Sequence, residues 1–291
     1  MPQRPASQAN AAQTNAAHSG AANSGTSHTG LPHAGLPHAG LPHAGAPHPS
    51  AQDLQLTRFP LLRDAEPAAL ARAAAQAHWR RAQPGEVVLD FGDVSNEVFL
   101  VFTGSVRVTL RTPGGAELIV GDREAGEIVG DMAAIDGQTR SANVTALHAS
   151  LLCSLPAAAF LELALHSPPT GLRLLQLLTA RLRLQDARLT EMVALPVRYR
   201  LYAEMLRMAR PRENGQFRIS PPPQQHVLAA RIGARREAVS RELSVMGRAG
   251  LVVVTRQSIT LPQPETLRAA ITAAMAGETQ KGPIRAAGAR T

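Results

Sequence analysis

Residues 233–243 read Gly-Ala-Arg-Arg-Glu-Ala-Val-Ser-Arg-Glu-Leu, and this stretch decides the fold of the C-terminal third of the chain. Residues 225–232 before it place apolar side chains at helical spacing, and the glycine that follows ends them where a left-handed residue is needed. In the next helix Val239, Leu243 and Met246 recur at helical spacing and predict its buried face. The pattern predicts two helices joined by a tight turn.

The opposite face of the second helix is polar and charged. Arginine forks onto guanine O6 and N7, and glutamate accepts from cytosine N4, so these side chains at the start of a helix suit base recognition in the major groove. The alternative is an amphipathic helix whose arginines face water, but turn, buried pattern and polar face together favour DNA recognition. The residues predicted here to contact DNA are Arg235, Arg236, Glu237, Ser240 and Arg241.

Two β-branched runs follow the second helix. Residues 250–255 and 259–261 predict short strands, and the residues between them predict a tight turn. Two strands after a recognition helix form a wing, and Arg256 at its tip is placed to meet a DNA phosphate. We therefore predict a winged helix-turn-helix over residues 196–265.

Charge divides the chain in the same way. The formal net charge is +8; residues 196–291 hold 16 Lys and Arg against 6 Asp and Glu, whereas residues 51–195 hold 13 against 16. A basic part beside a mildly acidic part is typical of a polyanion-binding domain joined to a domain of another kind.

Length and composition limit the remaining possibilities. The chain has 291 residues, 44% of them hydrophobic, which is enough for two domains with cores of their own. The single cysteine, Cys153, excludes a disulfide framework within one chain, and its apolar neighbours predict a small buried side chain in a strand. Neither an apolar run of about 18 residues nor a signal-peptide pattern occurs, so we expect a cytoplasmic protein without a membrane partner.

The first fifty residues have a composition of their own. Gly-Leu-Pro-His-Ala occurs three times from Gly30, and a short period with proline and glycine in each unit forms neither helix nor sheet. Residues 1–50 are therefore expected to be a disordered tail. Its histidines suit loose metal binding, but a flexible tail that arose by repeat slippage or a misassigned start codon is the favoured interpretation.

Residues 51–168 predict an antiparallel β-roll of jelly-roll type. A short helix is expected from Asp64 to about Ala77, and a further helix over residues 156–166. Between them, short strands separated by glycine-containing turns indicate a roll or barrel. The strands are predicted over residues 86–91, 97–102, 105–111, 117–121, 144–147 and 151–155.

A long helix is predicted over residues 169–195. Its apolar residues alternate at spacings of three and four with Gln185 as one polar member, which over about three heptads indicates a coiled-coil dimer. The alternative is an amphipathic helix lying on its own barrel, but Arg181, Arg183 and Arg188 beside the seam favour dimerisation. A dimer places two recognition helices on a palindrome. The predicted interface residues are Leu175, Leu178, Leu182, Leu189 and Met192.

The order of β-roll, long helix and winged helix-turn-helix resembles the Crp/Fnr family of bacterial transcription regulators over about residues 54–262. Residues 236–241 are similar to the family's recognition helix, and residues 130–142 look like its phosphate-binding cassette. Within that cassette, a short helix after Gly130 turns its first amides to an anion, and Arg140 offers a planar fork for phosphate. The resemblance implies a homodimer on palindromic DNA with TGTGA-like half-sites, and RNA polymerase as a partner.

The resemblance also implies a cyclic nucleotide as effector, cyclic AMP before cyclic GMP. The glutamate that holds the ribose in the family is here Asp131, one methylene shorter, and the two small hydroxyl residues that contact adenine correspond to the larger Gln185 and Asp186. Such side chains suit guanine or a different anion, and Gln185 also suits the setting of coiled-coil register. The expected effector residues are Gly130, Asp131, Met132, Ala133, Arg140, Ser141, Gln185 and Asp186.

Other functions fit the residues less well. A cupin-type metal enzyme needs inward-facing histidines two residues apart, and residues 79–160 contain only His148, so no enzyme activity is expected. An iron–sulfur cluster needs several cysteines, and no spacing among His78, His148 and Cys153 marks a haem ligand pair. We expect no metal, haem or cluster. A constitutive, effector-independent regulator with a degenerate roll stays open, and residues 266–291 are expected to form a C-terminal tail.

Overall fold

The computed structural model describes residues 56–278 apart from residues 113 and 214. The tail expected over residues 1–50 and the histidines within it lie outside the described residues. Two short 3-10 turns, Leu56–Arg58 and Pro60–Leu62, lead into helix α1 (Pro67–Ala75). Glu66 caps α1, because its carboxylate accepts from backbone amides of the first turn at 3.3 and 3.2 Å.

Eight strands form the roll. They pair in two antiparallel sheets, β1-β8-β3-β6 and β2-β7-β4-β5, which confirms the predicted antiparallel roll. Strands β1 and β6 were not predicted, because two arginines interrupt the apolar pattern of the first and the second has only two residues. The strands are β1 (His78–Ala82), β2 (Val87–Leu89), β3 (Val98–Thr103), β4 (Ser105–Arg111), β5 (Glu117–Glu124), β6 (Ile128–Val129), β7 (Asn143–Ala146) and β8 (Ser150–Leu155).

Two apolar clusters stabilise this domain. One fills the space between the two sheets and includes Val101, Val106 and Leu152, all fully buried. The other packs α1 and helix α3 (Ala157–His166) against the outer face of the first sheet. Cys153 belongs to this second cluster and is fully buried in β8, as predicted. Burial raises the pKa of the Cys153 thiol to about 12.

Two further helices position the sites. Helix α2 (Asp131–Asp136) follows β6, and the long helix α4 (Pro168–Ala194) leads out of the roll. Helix α4 ends because Pro196 disfavours helical geometry at the preceding residue, and Leu195 is extended with φ −110° and ψ 135°. Helix α5 (Val197–Met208) begins directly after it. No helix among the described residues is both long and apolar enough to cross a bilayer.

The C-terminal domain is the predicted winged helix-turn-helix. Helix α6 (Gln225–Ile232) ends at a left-handed glycine with φ 59°, and helix α7 (Arg236–Arg248) buries Val239 and Met246 completely and Leu243 almost so. The wing strands β11 (Val253–Val254) and β12 (Ile259–Leu261) form hydrogen bonds as expected. Strands β9 (Arg210–Pro211) and β10 (Phe217–Ile219), which were not predicted, extend this sheet in the order β11-β12-β10-β9.

The prediction of a C-terminal tail over residues 266–291 is wrong for the first part of that range. Helix α8 (Pro264–Met275) begins there and packs against α5. Leu267 and Ala274 are buried in the C-terminal core together with Met246 and Leu261. The helix is rich in alanine, so the sequence shows no strong pattern of large apolar side chains on one face. The buried face is identified only in the structure, where α5 packs against it.

Candidate effector cavity and DNA-binding surface

A cavity of about 570 Å³ opens between the second sheet of the roll, helix α2 and helix α4. Its volume lies within the range of about 300–1,000 Å³ that is usual for small-molecule sites. Apolar side chains form most of its wall. Seven of the eight residues predicted to bind the effector line it: Gly130, Asp131, Met132, Ala133, Arg140, Ser141 and Gln185.

Gly130 and Arg140 fix the start of the cassette helix. Gly130 has φ 82°, and a Cβ added to it would lie 2.8 Å from both Arg140 Nη1 and the backbone oxygen of Glu97, so only glycine fits. The Arg140 side chain is 2% exposed. It donates to Ser95 Oγ and to the backbone oxygens of Gly130 and Glu97, each at 2.9 Å. Burial lowers the pKa of Arg140, although Glu97 opposes this.

Asp131 is buried and paired with helix α4. Arg181 Nη1 donates to its two carboxylate oxygens at 3.1 and 2.9 Å, and Arg181 Nη2 donates to the backbone oxygen of Ile128 at 2.7 Å. The acceptor that the sequence assigns to a ribose therefore already has a protein partner. Sequence reasoning missed this role of Arg181, although its helical spacing of four from Gln185 places both on one face of α4.

The remaining predicted effector residues differ in position. The exposed hydroxyl of Ser141 contacts Met132 Sδ at 3.6 Å at the edge of the cavity. Gln185 reaches the cavity from α4. Asp186 does not line the cavity of its own chain; it lies instead at a smaller cleft of about 230 Å³ between α4, β5 and α6.

Arg123 is a further cavity residue that the sequence analysis did not identify. It lies on β5, lines the cavity, and is mostly buried. The preceding residue, Asp122, belongs to the opposite side of the strand, where it accepts two hydrogen bonds from Arg107 at 2.8 and 2.9 Å and pairs with Arg231 of α6. The sequence indicated neither the cavity position of Arg123 nor the ion pairs of Asp122, beyond the presence of two charged residues next to each other in a strand.

A charged network joins the roll to the helix-turn-helix. At its centre Glu204 of α5 is 1% exposed and accepts from Arg188 at 3.2 Å, Arg207 at 3.0 Å and Arg231 at 3.3 Å. Arg188 also donates to the backbone oxygen of Val120 in β5. We call Asp122, Arg188, Glu204, Arg207 and Arg231 the interdomain network, since it links β5, α4, α5 and α6.

The ion pairs of Arg181 and Arg188 change the interpretation of α4. Arg181 and Arg188 were taken to favour dimerisation because they flank the α4 seam, but both form ion pairs within the chain. Two of the predicted interface residues also have contacts inside the chain. Leu178 packs on the core of the roll, and Met192 lies beside the turn of the helix-turn-helix, where a Cβ on Gly233 would be 3.1 Å from its Cε.

The polar face of α7 is accessible. Arg235, Arg236, Glu237 and Arg241 are exposed, and none of their side chains forms a hydrogen bond or ion pair with another described residue. Ser240 is half-buried beside them. On the inner side, Glu242 accepts from Arg198 of α5 at 3.0 Å, which braces the helix against the domain.

The wing presents Arg256 at its tip. Thr255 holds the turn, because its hydroxyl oxygen accepts from the amides of Gln257 at 3.3 Å and Ser258 at 3.0 Å. The side chain of Arg256 is exposed and forms no ion pair with the rest of the described chain. Both α7 and the wing tip therefore present guanidinium groups to solvent that are unpaired within the described part of the chain.

Helix α4 carries an exposed apolar stripe. Leu175, Leu182 and Leu189 lie seven residues apart and are 63%, 62% and 63% exposed. Spacing by seven places all three on one side of the helix. In the single chain this stripe faces solvent.

Comparisons with known proteins agree with this architecture. A cyclic nucleotide-binding domain model matches residues 79–167, and a Crp-like helix-turn-helix domain model matches residues 199–270. The CRP-like cAMP-activated global transcriptional regulator of Mycobacterium tuberculosis is 23% identical over 215 residues, which are 73% of this chain and 96% of that protein. The cyclic AMP receptor protein of Thermus thermophilus is 32% identical over 174 residues, 60% of this chain and 79% of that protein.

A solved structure shows the same fold. A CooA mutant from Carboxydothermus hydrogenoformans superimposes with a TM-score of 0.59 at 19% identity, covering 67% of this chain and 88% of that one. Fold, cavity and exposed recognition helix together define a DNA-binding transcription regulator with a cyclic nucleotide-binding domain. The chain belongs to the Crp/Fnr family.

Proposed function

We propose that this regulator is a homodimer whose affinity for palindromic DNA is set by a small anionic effector bound in the roll. One observation supports control of DNA binding by an effector. Strand β5 serves both domains, since Val120 and Arg123 line the effector cavity while Asp122 between them pairs with Arg231 of the helix-turn-helix. A ligand that favours one position of β5 thereby favours one arrangement of the DNA-binding domain, which is the requirement for allosteric coupling.

The DNA contacts follow from the accessible face of α7. We assign Arg236, Glu237 and Arg241 to base edges of a TGTGA-like half-site, with Ser240 assisting; the family resemblance supplies that sequence. These side chains lie near the start of the helix, from which a recognition helix reaches the major groove. Arg235 and Arg256 are assigned to phosphates, because the first precedes the helix and the second occupies the wing tip.

The homodimer rests on the exposed stripe of α4. Full burial of a leucine side chain contributes about 1.5–3 kcal/mol, and three leucines from each of two helices would leave water together. Paired α4 helices also place two recognition helices symmetrically, as a palindromic operator requires. Dimerisation is therefore proposed through Leu175, Leu182 and Leu189, with Leu178 and Met192 at the edges of the seam.

We propose a cyclic nucleotide as the effector, cyclic AMP before cyclic GMP. Arg140 has five N–H groups, and its contacts leave one hydrogen of Nη1 for a phosphate oxygen. Ser141 adds a hydroxyl, and Asp131 accepts from the ribose through a water because its reach is short. Gln185 meets the base, whereas Asp186 joins a site only if a dimer brings it to the neighbouring cavity. We further propose RNA polymerase as a partner and the cytoplasm as the location.

A second candidate is a constitutive regulator whose roll binds no effector. The observation that favours it is the pairing already present in the cavity. Asp131 is held by Arg181, and Arg140 is held by Ser95, Gly130 and Glu97, so neither needs a ligand for its main hydrogen bonds. The two candidates differ only in the response to ligand.

Calorimetric titration with cyclic AMP separates the two candidates. Gating predicts saturable binding by the full chain, loss of that binding in Arg140→Gln, and retained binding in Arg111→Gln, which alters an exposed arginine of β4 outside the cavity. Thermal melting of each variant shows whether the roll remains folded. Binding that is equal in Arg140→Gln and the wild type would refute the assignment of Arg140, and no binding of cyclic AMP or cyclic GMP at millimolar concentration would support the constitutive candidate.

A further inference from the structure

The effector cavity contains more positive charge than one phosphodiester needs. Besides Arg140, it is lined by Arg123 from β5 and Arg181 from α4, and the only carboxylate among its described lining residues is Asp131. Arg181 is paired with that carboxylate at 2.9 Å. Arg140 pairs with Glu97 at 3.4 Å and Arg123 with Glu127 at 3.9 Å, but neither glutamate is among the residues that line the cavity.

The partners of Arg123 leave its charge only loosely paired. Its Nη1 donates to the backbone oxygen of Asp122 at 3.0 Å, but its buried Nε has no hydrogen-bond acceptor in the structure. The nearest carboxylate oxygen, on Glu127, is 3.9 Å from Nε, which is beyond hydrogen-bonding distance. The side chain is nevertheless only 14% exposed.

Two details direct the Arg123 head towards the cavity. Gly121 leaves the space that the head occupies, since a Cβ there would lie 2.7 Å from Arg123 Nη1. Arg181 approaches from the facing helix, and its own Nε is also buried without an acceptor. Burial lowers the pKa of Arg123, and the charge of Arg181 lowers it further, so the two guanidinium groups repel each other across the cavity.

A buried guanidinium whose nearest carboxylate oxygen is 3.9 Å from Nε is incompletely paired, and an anion in the cavity between Arg123 and Arg181 offsets part of the cost of its burial. We propose that the natural effector carries two negatively charged groups, one held by Arg140 and the second held by Arg123 with Arg181. This inference rests on the proposed gating by an anionic effector and specifies its chemical class. Cyclic AMP has one negative charge, so on this proposal it occupies the first position only and acts as a weaker ligand of the same cavity than the natural effector.

The cavity volume of about 570 Å³ admits several ligands of this class. A nucleoside diphosphate, a cyclic dinucleotide with two phosphodiesters, and a dicarboxylate share the required pair of anionic groups. Calorimetric titration of the full chain with adenosine 5′-diphosphate, a cyclic dinucleotide and 2-oxoglutarate compares these three ligands with cyclic AMP, which has a single charge. The tightest of the three doubly charged ligands identifies the source of the second charge.

Three variants isolate the role of Arg123. Arg123→Met removes the charge and keeps the aliphatic length, Arg123→Lys keeps the charge, and Arg111→Met changes an exposed arginine of the neighbouring strand β4 as a matched control. In the wild type at least one doubly charged ligand should bind about tenfold tighter than cyclic AMP, the usual size of one added charged hydrogen bond. Arg123→Met should reduce this preference to less than about twofold, while Arg123→Lys and Arg111→Met keep most of it.

The outcomes are distinguishable. If the wild type shows no preference for a doubly charged ligand, or if Arg123→Met keeps the preference, the inference is wrong although cyclic AMP still gates the protein. If no anion binds, including cyclic AMP, both the inference and the proposed gating are wrong. A purely structural role of Arg123 would lower the affinity for all ligands equally and reduce the melting temperature of Arg123→Met and Arg123→Lys alike, which would also overturn the inference.

Discussion

Removal of the Glu204 carboxylate tests whether the interdomain network holds the two domains together. This carboxylate is 1% exposed and accepts four hydrogen bonds from three arginines, at 3.2, 3.2, 3.0 and 3.3 Å. Its loss leaves Arg188 and Arg231 buried, although Asp122 still pairs with Arg231. Removing one partner of a buried ion pair costs about 3–5 kcal/mol, and we expect Glu204→Ala to lower the free energy of unfolding by that amount.

Urea unfolding measures this change with two independent signals. Far-UV circular dichroism follows the helices, while the fluorescence of Trp79, the single tryptophan of the chain, follows the roll, where its ring packs edge-on against Phe102 at 5.4 Å. Because the network includes β5, Glu204→Ala should shift both transitions, and Glu204→Gln, which keeps an acceptor oxygen, should shift them by about half as much.

Glu265→Ala is the matched control. Glu265 of α8 is highly exposed and pairs only with Arg268 at 3.1 Å, so its loss should cost less than about 1 kcal/mol. A Glu204→Ala variant within about 1 kcal/mol of this control would refute the central place of Glu204. A shift of the circular dichroism signal alone would show that the network stabilises the C-terminal domain without coupling it to the roll.

Three further predictions concern DNA, assembly and pH. Arg241→Ala should reduce the binding free energy for the operator by about 1–3 kcal/mol and relax the preference at one base pair, whereas Arg256→Ala should reduce the affinity for specific and random DNA alike. If Arg241→Ala lost equal affinity for both DNAs, Arg241 would not read a base. Leu182→Asp should give monomers by sedimentation, since an unpaired charge in the seam costs several kcal/mol, and a dimeric variant would place the interface elsewhere. Burial raises the pKa of Cys153 and of Tyr202 to about 12 from 9.0 and 10.0. Above pH 9 the thiol of Cys153, and above pH 10 the phenol of Tyr202, loses its proton in the unfolded state but keeps it in the folded state. The free energy of unfolding should therefore fall with rising pH, by up to about 1.4 kcal/mol per pH unit for each group, until about pH 12. Urea titrations should show a smaller decline for Cys153→Ala and for Tyr202→Phe.

Local patterns account for the parts of the fold that the sequence predicted. The turn before α7 needs a left-handed residue, and Val239 and Met246 repeat at helical spacing, so local geometry determines the helix-turn-helix. The cassette is likewise a short contiguous segment, from Gly130 to Arg140. Helix α8 and strand β1 were not predicted, because both are stabilised by contacts with elements that are distant in sequence. Such contacts override the local secondary-structure propensity.

The charged residues of the site show a second limit of prediction from sequence. Arg181 and Glu204 act through partners on other elements, and the Arg181–Asp131 pair is separated by 50 residues in sequence. No spacing rule connects such partners, since β5, α2, α4 and α5 meet only after the chain has folded. The sequence could therefore indicate an anion-binding cassette but not that two more arginines share its cavity.

The most direct test of the whole account is the affinity for a TGTGA-based palindrome, measured by fluorescence anisotropy at fixed salt with and without saturating effector. A scrambled duplex of equal length serves as the control. With effector present, the palindrome should bind at least about 10³-fold tighter than the scrambled duplex, and the effector should change the affinity for the palindrome by about 5–150-fold. Equal affinity for both duplexes in every condition would contradict sequence-specific recognition by α7 and gating by the roll together.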